Sequence, residues 1–168
     1  MAFVIKQRRA NQGNSDGTAP IVDQWVHVVR PAENFEQTAS TNNALFTISG
    51  GKILVKALIG TVMTAVSGGT TPDLQIEFTD DVTTNAIDIA SDVAITDDAV
   101  GNVYHVEGDG SALISNVNAY VIMTAVGGGF ILGPGTIDEE LTESTITGQV
   151  KWDLWYVPLE AASYVVAA

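Results

Sequence analysis

The chain has 168 residues, no cysteine, two histidines and a formal net charge of −13 at pH 7. This length fits one domain with a sizeable core, and the lack of cysteine excludes a disulfide framework. The acidic balance argues against general nucleic-acid binding, and no apolar run reaches the roughly 18 residues that a membrane span requires.

Residues with β-branched side chains dominate the sequence, since 51 Val, Ile and Thr stand against 9 Leu. Such side chains fit a pleated sheet better than a helix. No long segment shows a 3.6-residue period, and turn signals recur every 8 to 15 residues or so. The sequence therefore predicts about eight to ten short antiparallel strands in an all-β fold, a jelly-roll-like β-sandwich with an extended N-terminal arm.

The N-terminal part, residues 1–30, is predicted to form this arm and the first strands, ahead of a sandwich body over residues 31–168. We expect strands at 3–7 and 21–30, the second of which ends at Pro31. The charges after the short apolar start are the reverse of a signal peptide, which favours folding in the cytosol.

The arm and the body differ in charge. Residues 1–30 carry a net charge of +2, whereas the rest of the chain carries −15. We interpret Lys6, Arg8, Arg9 and Arg30 as a docking arm for an acidic partner or a neighbouring copy, although the uneven charge is also compatible with solubility alone.

The centre of the chain combines a glycine pair with a long apolar run. Gly50-Gly51 predicts a hairpin-type turn between two strands. The run from Ala57 to Val66 is apolar on both alternating faces, which indicates a strand covered on both sides or one with a face at a subunit contact. We therefore place Leu58, Val62 and Trp155 at a candidate subunit interface.

The second half continues the strand pattern. Leu74, Ile76 and Phe78 alternate with the outward residues Gln75, Glu77 and Thr79, and further short strands are predicted near residues 86–90, 103–107, 120–126 and 130–132. The last strand, residues 149–157, places Val150, Trp152, Leu154 and Tyr156 on one face and Trp155 on the other.

Residues for catalysis or metal binding are scarce. His27 and His105 lie in different predicted strands, and no nucleophile motif is present. Acidic pairs such as Asp80-Asp81, Asp97-Asp98 and Glu139-Glu140 lack calcium-loop spacing, although loop carboxylates that bind Ca²⁺ stay an alternative. We expect no enzyme activity, no cofactor and no bound metal.

Two stretches resemble small virion proteins of tailed bacteriophages of the capsid decoration or cement type. They are Phe46-Thr-Ile-Ser-Gly-Gly-Lys-Ile-Leu-Val-Lys-Ala-Leu-Ile-Gly-Thr-Val and Gly148-Gln-Val-Lys-Trp-Asp-Leu-Trp-Tyr-Val-Pro-Leu-Glu, with Pro134-Gly-Thr-Ile and the final Val-Val-Ala-Ala. The likeness covers residues 44–66 and 133–168. It implies a protein present in many copies, without an active site.

This resemblance predicts a protein that is made in the host cytoplasm and bridges major capsid subunits on the capsid exterior. By analogy the homo-oligomer is a trimer, and neither nucleic acid nor membrane is a partner. The alternatives are a tail or neck protein and a carbohydrate-binding sandwich that uses Trp155 and Tyr156 as a stacking platform.

Overall fold

The computed structural model describes residues 4–5, 25–35, 42–106, 114–116, 128–143 and 145–168, and these residues form two antiparallel sheets without a helix. The seven-stranded sheet contains β1 (Val4–Ile5), β2 (Val26–Asn34), β4 (Ile53–Ser67), β7 (Val103–His105), β8 (Ile114–Asn116), β9 (Phe130–Leu132) and β11 (Thr147–Pro158). The five-stranded sheet contains β3 (Asn43–Ser49), β5 (Asp73–Asp80), β6 (Ala86–Ala94), β10 (Gly135–Leu141) and β12 (Tyr164–Ala167).

In each sheet, one strand from the C-terminal part of the chain lies between two strands from the first half, β11 between β2 and β4 and β10 between β3 and β5. The seven-stranded sheet has the order β1-β2-β11-β4-β7-β8, and β9 pairs with the first residues of β4. The five-stranded sheet has the order β12-β3-β10-β5-β6. The pairs β2·β11, β3·β10, β4·β7 and β5·β6 are therefore nested along the sequence, and every pair is antiparallel.

One hydrophobic core lies between the sheets, which gives a sandwich-like arrangement. The alternation predicted for β5 is confirmed, since Leu74, Ile76 and Phe78 are buried. The inward face of β11 is also as predicted, with Val150, Trp152, Leu154 and Tyr156 all buried in the same core. The prediction of an all-β fold with two antiparallel sheets is confirmed.

The glycine pair at residues 50–51 does not close a hairpin. A turn is present, but β3 pairs with β10 and β12, whereas β4 pairs with β11, β7 and β9. The pair instead carries the chain from one sheet to the other. Gly50 has a φ of +75°, and a Cβ at this position would lie 2.1 Å from the carbonyl oxygen of Ala162, so only glycine fits the crossing.

The predicted strand end at Pro31 is wrong, because β2 continues to Asn34. The pairing register between β2 and β11 shifts at this point, where Trp152 faces Arg30 and Val150 faces Glu33. Two residues of β2 therefore oppose one residue of β11. Such a bulge accommodates a proline because it breaks the ladder of backbone hydrogen bonds locally.

Gly60 marks a close approach between β4 and the large ring of Trp152. The two residues are paired partners, and a Cβ at Gly60 would lie 2.9 Å from the indole ring. The register between β4 and β11 is regular at this pair, so the glycine makes room for the ring and forms no bulge.

Two contacts tie the periphery to the core. The backbone of Asp98, Gly101 and Asn102 bonds to Val62 and Val66 of β4. The Tyr156 hydroxyl, which belongs to the seven-stranded sheet, accepts a hydrogen bond of 3.1 Å from the amide of Val165 in β12 of the other sheet. Within the described ranges, no helix is long and apolar enough to span a membrane.

Candidate functional site

The outer face of the seven-stranded sheet carries a stacked histidine and tryptophan. His27 and Trp155 are cross-strand partners, and their rings are parallel with centroids 4.3 Å apart. His27 Nε2 lies 2.8 Å from Asp153 Oδ1, and Lys151 Nζ lies 2.8 Å from Asp153 Oδ2. Asp153 thus links His27 on β2 with Lys151 on β11 and holds the histidine ring in the stack.

A small apolar cluster underlies this stack. Ala57, Ile59 and Val103 point away from the main core yet are buried, and the half-buried Trp155 packs against them. This cluster explains why the first part of the run, Ala57 to Ile59, is apolar on both faces, whereas Met63 further along is exposed. Leu58 and Val62 belong to the main core and are fully buried within one chain, so their side chains offer no surface to a second subunit.

A row of apolar side chains crosses the same outer face at the end nearest Trp25. The pairing of Val157 with Leu54, and of Leu54 with Ile131, sets these three residues side by side. Trp25 precedes β2 on the same face as His27, because it is two residues away. We call Trp25, Val157, Leu54 and Ile131 the Trp25 row. Its two ends are open, with Trp25 52% and Ile131 61% exposed.

Lys56 is the basic residue beside this row. Its ammonium lies 6.0 Å from the centroid of the Trp25 ring and donates a 2.8 Å hydrogen bond to the carbonyl oxygen of Gly128. Both contacts favour a fixed ammonium position above the indole. Among the described residues, no carboxylate lies within ion-pair distance of Lys56.

The outer face of the five-stranded sheet is acidic. Asp138 of β10, Glu77 of β5 and Asp88 of β6 are cross-strand neighbours, so three carboxylates stand in one line. Asp92 and Glu140 lie close enough to influence one another. We call these five residues the acidic face. In the described part of the chain, none of the ion pairs involves them.

Hydrogen bonds replace positive charge on the acidic face. Asn42 donates to Glu77 at 2.6 Å, and Thr79 and Thr136 both donate to Asp138. Burial raises the pKa of Asp138 despite these bonds. Burial and then the neighbouring charge of Glu77 raise the pKa of Glu140. Glu77 is predicted to point outward and does so, but it is buried among its neighbours.

A charged group also lies inside the sandwich. Glu139 is 3% exposed and accepts hydrogen bonds from Asn43 at 2.8 Å and from the Trp152 indole at 3.1 Å. Burial raises the pKa of Glu139, and the nearby charge of Arg30 opposes the rise. Arg30 is also 3% exposed and forms an ion pair of 3.0 Å with Glu33. Arg30 is therefore part of the interior and cannot serve on a docking arm.

The remaining acidic pairs have structural roles in turns. Asp80 accepts hydrogen bonds from the amides of Val82 and Thr83, which lowers its pKa, the Thr83 hydroxyl being the largest contributor. Asp98 binds the side chains of Asn102 and Tyr104 at 2.8 and 2.7 Å. No group of three or more metal-binding side chains occurs within the described residues.

The structure separates the sequence-predicted site residues. Trp155 lies on the outer face, whereas Tyr156 is buried and hydrogen-bonded to β12, so the two do not form a paired stacking platform. Lys6, Arg8 and Arg9 lie outside the described residues, as does the strand expected near 120–126. Strand β1, which precedes these three basic residues in the sequence, lies at the edge of the seven-stranded sheet, where Ile5 pairs with His27.

Sequence reasoning did not identify Lys56 and Ile131 as part of a surface. Lys56 interrupts an apolar run, and Ile131 lies between two apolar neighbours, so only the strand pairing reveals that they share a face with Trp25. Comparisons of the chain with protein-family models, with curated proteins and with solved structures find no match.

Proposed function

We propose that this chain is a structural protein of a bacteriophage virion that binds the outside of the capsid and bridges major capsid subunits. The observation that carries the proposal is the difference between the two outer faces. One face presents carboxylates with the hydroxyl and amide side chains that bond to them, whereas the other presents aromatic, aliphatic and basic side chains.

This difference indicates that one outer face of the protein contacts a partner and that the other faces water. Of the lysines at positions 52, 56 and 151, two lie on the outer face of the seven-stranded sheet. The basic segment with Lys6, Arg8 and Arg9 follows directly from β1 at the edge of that sheet. We infer that this sheet faces the capsid and that the acidic face is turned to solvent, where its charge opposes non-specific association.

The nested strand pairs support a finer description of the fold. The strand orders β2-β11-β4-β7 and β3-β10-β5-β6 are those of an eight-stranded jelly roll, which we propose as the fold, with the N-terminal arm as an extension of it. Viral capsid domains use this architecture, as do lectins and cupins, so the fold alone does not decide the function. A trimer is proposed by analogy with decoration proteins. In a trimer with three-fold symmetry, each contact joins two different surfaces of neighbouring subunits.

Mass spectrometry of purified virions from the source of the gene tests the proposal. We expect the chain in a fixed ratio to the major capsid protein, and antibody labelling over the whole shell. A low copy number with labelling at one vertex would support the tail or neck alternative instead. Absence from the virion would contradict the proposal.

Charge substitutions test the attachment. We expect the variant Lys6→Gln, Arg8→Gln, Arg9→Gln to lose binding to capsids, because basic side chains form charge-assisted contacts that weaken with salt. It leaves β1 unchanged, unlike a deletion of the N-terminus. The substitution Lys52→Gln, in the turn before β4, is the control for charge. Equal binding by the triple variant would show that the sheet face alone attaches the protein.

A further inference from the structure

The Trp25 row with Lys56 has the composition of a protein-binding surface. It combines one tryptophan, aliphatic side chains from three further strands and a single ammonium group. Tryptophan is one of the residues that provide most of the binding free energy of an interface when the surrounding contacts exclude water from it. Trp25 and Ile131 are among the exposed large apolar residues of the described chain, and strand pairing places both on one sheet face, at the two ends of one apolar row.

Lys56 indicates the charge of the partner. The chain contains 20 acidic residues, yet none of those described forms an ion pair with this ammonium. The ammonium is held by a carbonyl oxygen and an indole ring, neither of which neutralises it. A carboxylate from outside the chain would complete the contact and would form a charge-assisted hydrogen bond.

We propose that the Trp25 row and Lys56 form a docking patch for a protein segment that presents aliphatic side chains beside a carboxylate. This inference rests on the proposed function only for the identity of the partner, which would be a major capsid subunit. The outer face of a sheet suits an extended protein segment better than a small apolar ligand, because such ligands bind in concave pockets.

A second copy of this chain fits the patch less well. A symmetric contact would place the same patch on both sides, so Lys56 of one copy would approach Lys56 of the other. The net charge of −13 adds repulsion between copies. A partner of opposite local charge is therefore favoured over a two-fold dimer of this chain.

The first experiment uses the purified full chain and two short peptides. Nuclear magnetic resonance follows the indole N–H signals of the three tryptophans, and the variant Trp25→Phe assigns one of them. We expect the acetylated peptide Leu-Glu-Leu-Glu to shift the Trp25 signal, and Leu-Lys-Leu-Lys to leave it unchanged. Lys56→Met should abolish the shift, whereas Lys52→Met should preserve it. Equal effects of both peptides, or no effect of either, would overturn the proposal.

The second experiment measures binding to purified capsids by co-sedimentation. We expect Trp25→Ala, Ile131→Ser and Lys56→Met each to weaken binding at least about tenfold, as truncation at an interface centre does. Ile87→Ser, an exposed isoleucine on β6, is the matched control and should bind normally. The unchanged Trp152 indole signal shows that each variant is folded.

The two experiments separate the proposals. If the unmodified chain binds no capsid, the proposed function fails, and the peptide experiment still decides whether the patch exists. If the chain binds capsids and the three patch variants bind equally well, the patch is wrong and the function stands. Self-association that Trp25→Ala abolishes in sedimentation would assign the patch to a second copy and overturn the proposal.

Discussion

Gly60 shows how one missing side chain determines the packing of the largest core residue. The Trp152 indole lies over this glycine and reaches Glu139 with its N–H group. A larger residue at position 60 would displace the ring and would break this hydrogen bond at the same time. The glycine therefore supports both the apolar core and the buried carboxylate.

We predict that Gly60→Ala lowers the free energy of unfolding by about 1–3 kcal/mol, the usual cost of overpacking a core. Urea denaturation followed by tryptophan fluorescence measures the effect. Gly133→Ala is the control, since a Cβ at that position meets no atom within 4 Å. An equal loss of stability in both variants would mean that the change in backbone freedom from glycine to alanine is the cause, and not the contact with Trp152.

At the scale of elements, Tyr156 joins the two sheets at β12, the edge strand of the smaller sheet. The amide of Val165 points away from β3 and toward the Tyr156 hydroxyl. This bond satisfies a backbone donor that is buried at the edge of the sheet, where it would otherwise have no partner. Burial also raises the pKa of the Tyr156 hydroxyl, which keeps it protonated.

We predict that Tyr156→Phe destabilises the fold by about 1–3 kcal/mol, because it leaves the Val165 amide buried without a partner. Tyr164→Phe, which changes an exposed tyrosine on the same strand as Val165, should have no measurable effect. Thermal unfolding of the two variants provides the comparison. Amide hydrogen exchange at Val165 should accelerate only in the first variant.

The opposite edge of the five-stranded sheet is protected by irregularity and charge. Two register shifts interrupt the pairing of β6 with β5, and Asp88 and Asp92 stand on the exposed strand. Bulges and charged side chains hinder edge-to-edge pairing between molecules. The edge is thereby unsuited to strand addition.

We predict that the double variant Asp88→Val, Asp92→Val aggregates at concentrations where the parent chain stays monodisperse, as measured by light scattering. The charge-matched control carries Asp81→Val, in the turn after β5, together with Asp97→Asn. If the control aggregates equally, loss of net charge rather than exposure of the edge is the cause.

Strand faces could be predicted from the sequence where one side is apolar and the other polar. Leu74, Ile76 and Phe78 satisfy this condition, and their inward orientation was predictable from alternation alone. Gly50-Gly51 did not reveal its partners, because a turn signal gives the local bend and not the sheet to which the next strand belongs. Pro31 was misleading for a related reason, since a bulge depends on the strand that lies opposite.

At the scale of the whole molecule, the charges divide between two faces and an interior. Burial raises the pKa of Glu139, Asp138 and Glu140. Hydrogen bonds lower the pKa of Asp80 and Glu143. These two groups act in opposite directions when the pH falls. The candidate docking patch could not be predicted from the sequence, because its residues come from three strands and from the position before β2, which only the strand pairing brings together.

We predict that stability rises as the pH is lowered from 7 and falls again in stronger acid. A carboxyl whose folded pKa exceeds its unfolded value gains protons on folding, so Glu139 favours the folded state as the pH approaches 4.5, its usual pKa. Below 3.8, the usual pKa of Asp80, protonation removes the stability that its hydrogen bonds supply.

Denaturation in urea at a series of pH values checks this prediction. Glu139→Gln should flatten the rise at pH values above 4.5, because the group that gains a proton is gone. Glu160→Gln, at an exposed position, is the control and should keep the full rise. A stability that decreases steadily from pH 7 would show that the lowered pKa values outweigh the raised ones.

The central position of β11 has a consequence for biosynthesis. This strand pairs with both β2 and β4, and its Asp153 contacts a side chain 126 positions earlier. On the ribosome, the larger sheet therefore stays divided until residues 147–158 have been synthesised. Domains with such long-range pairing fold with time constants of roughly milliseconds to seconds, even when they are small. The nascent chain would display the apolar strand β4 throughout elongation, and we expect chaperones that recognise extended apolar segments to bind it during that interval.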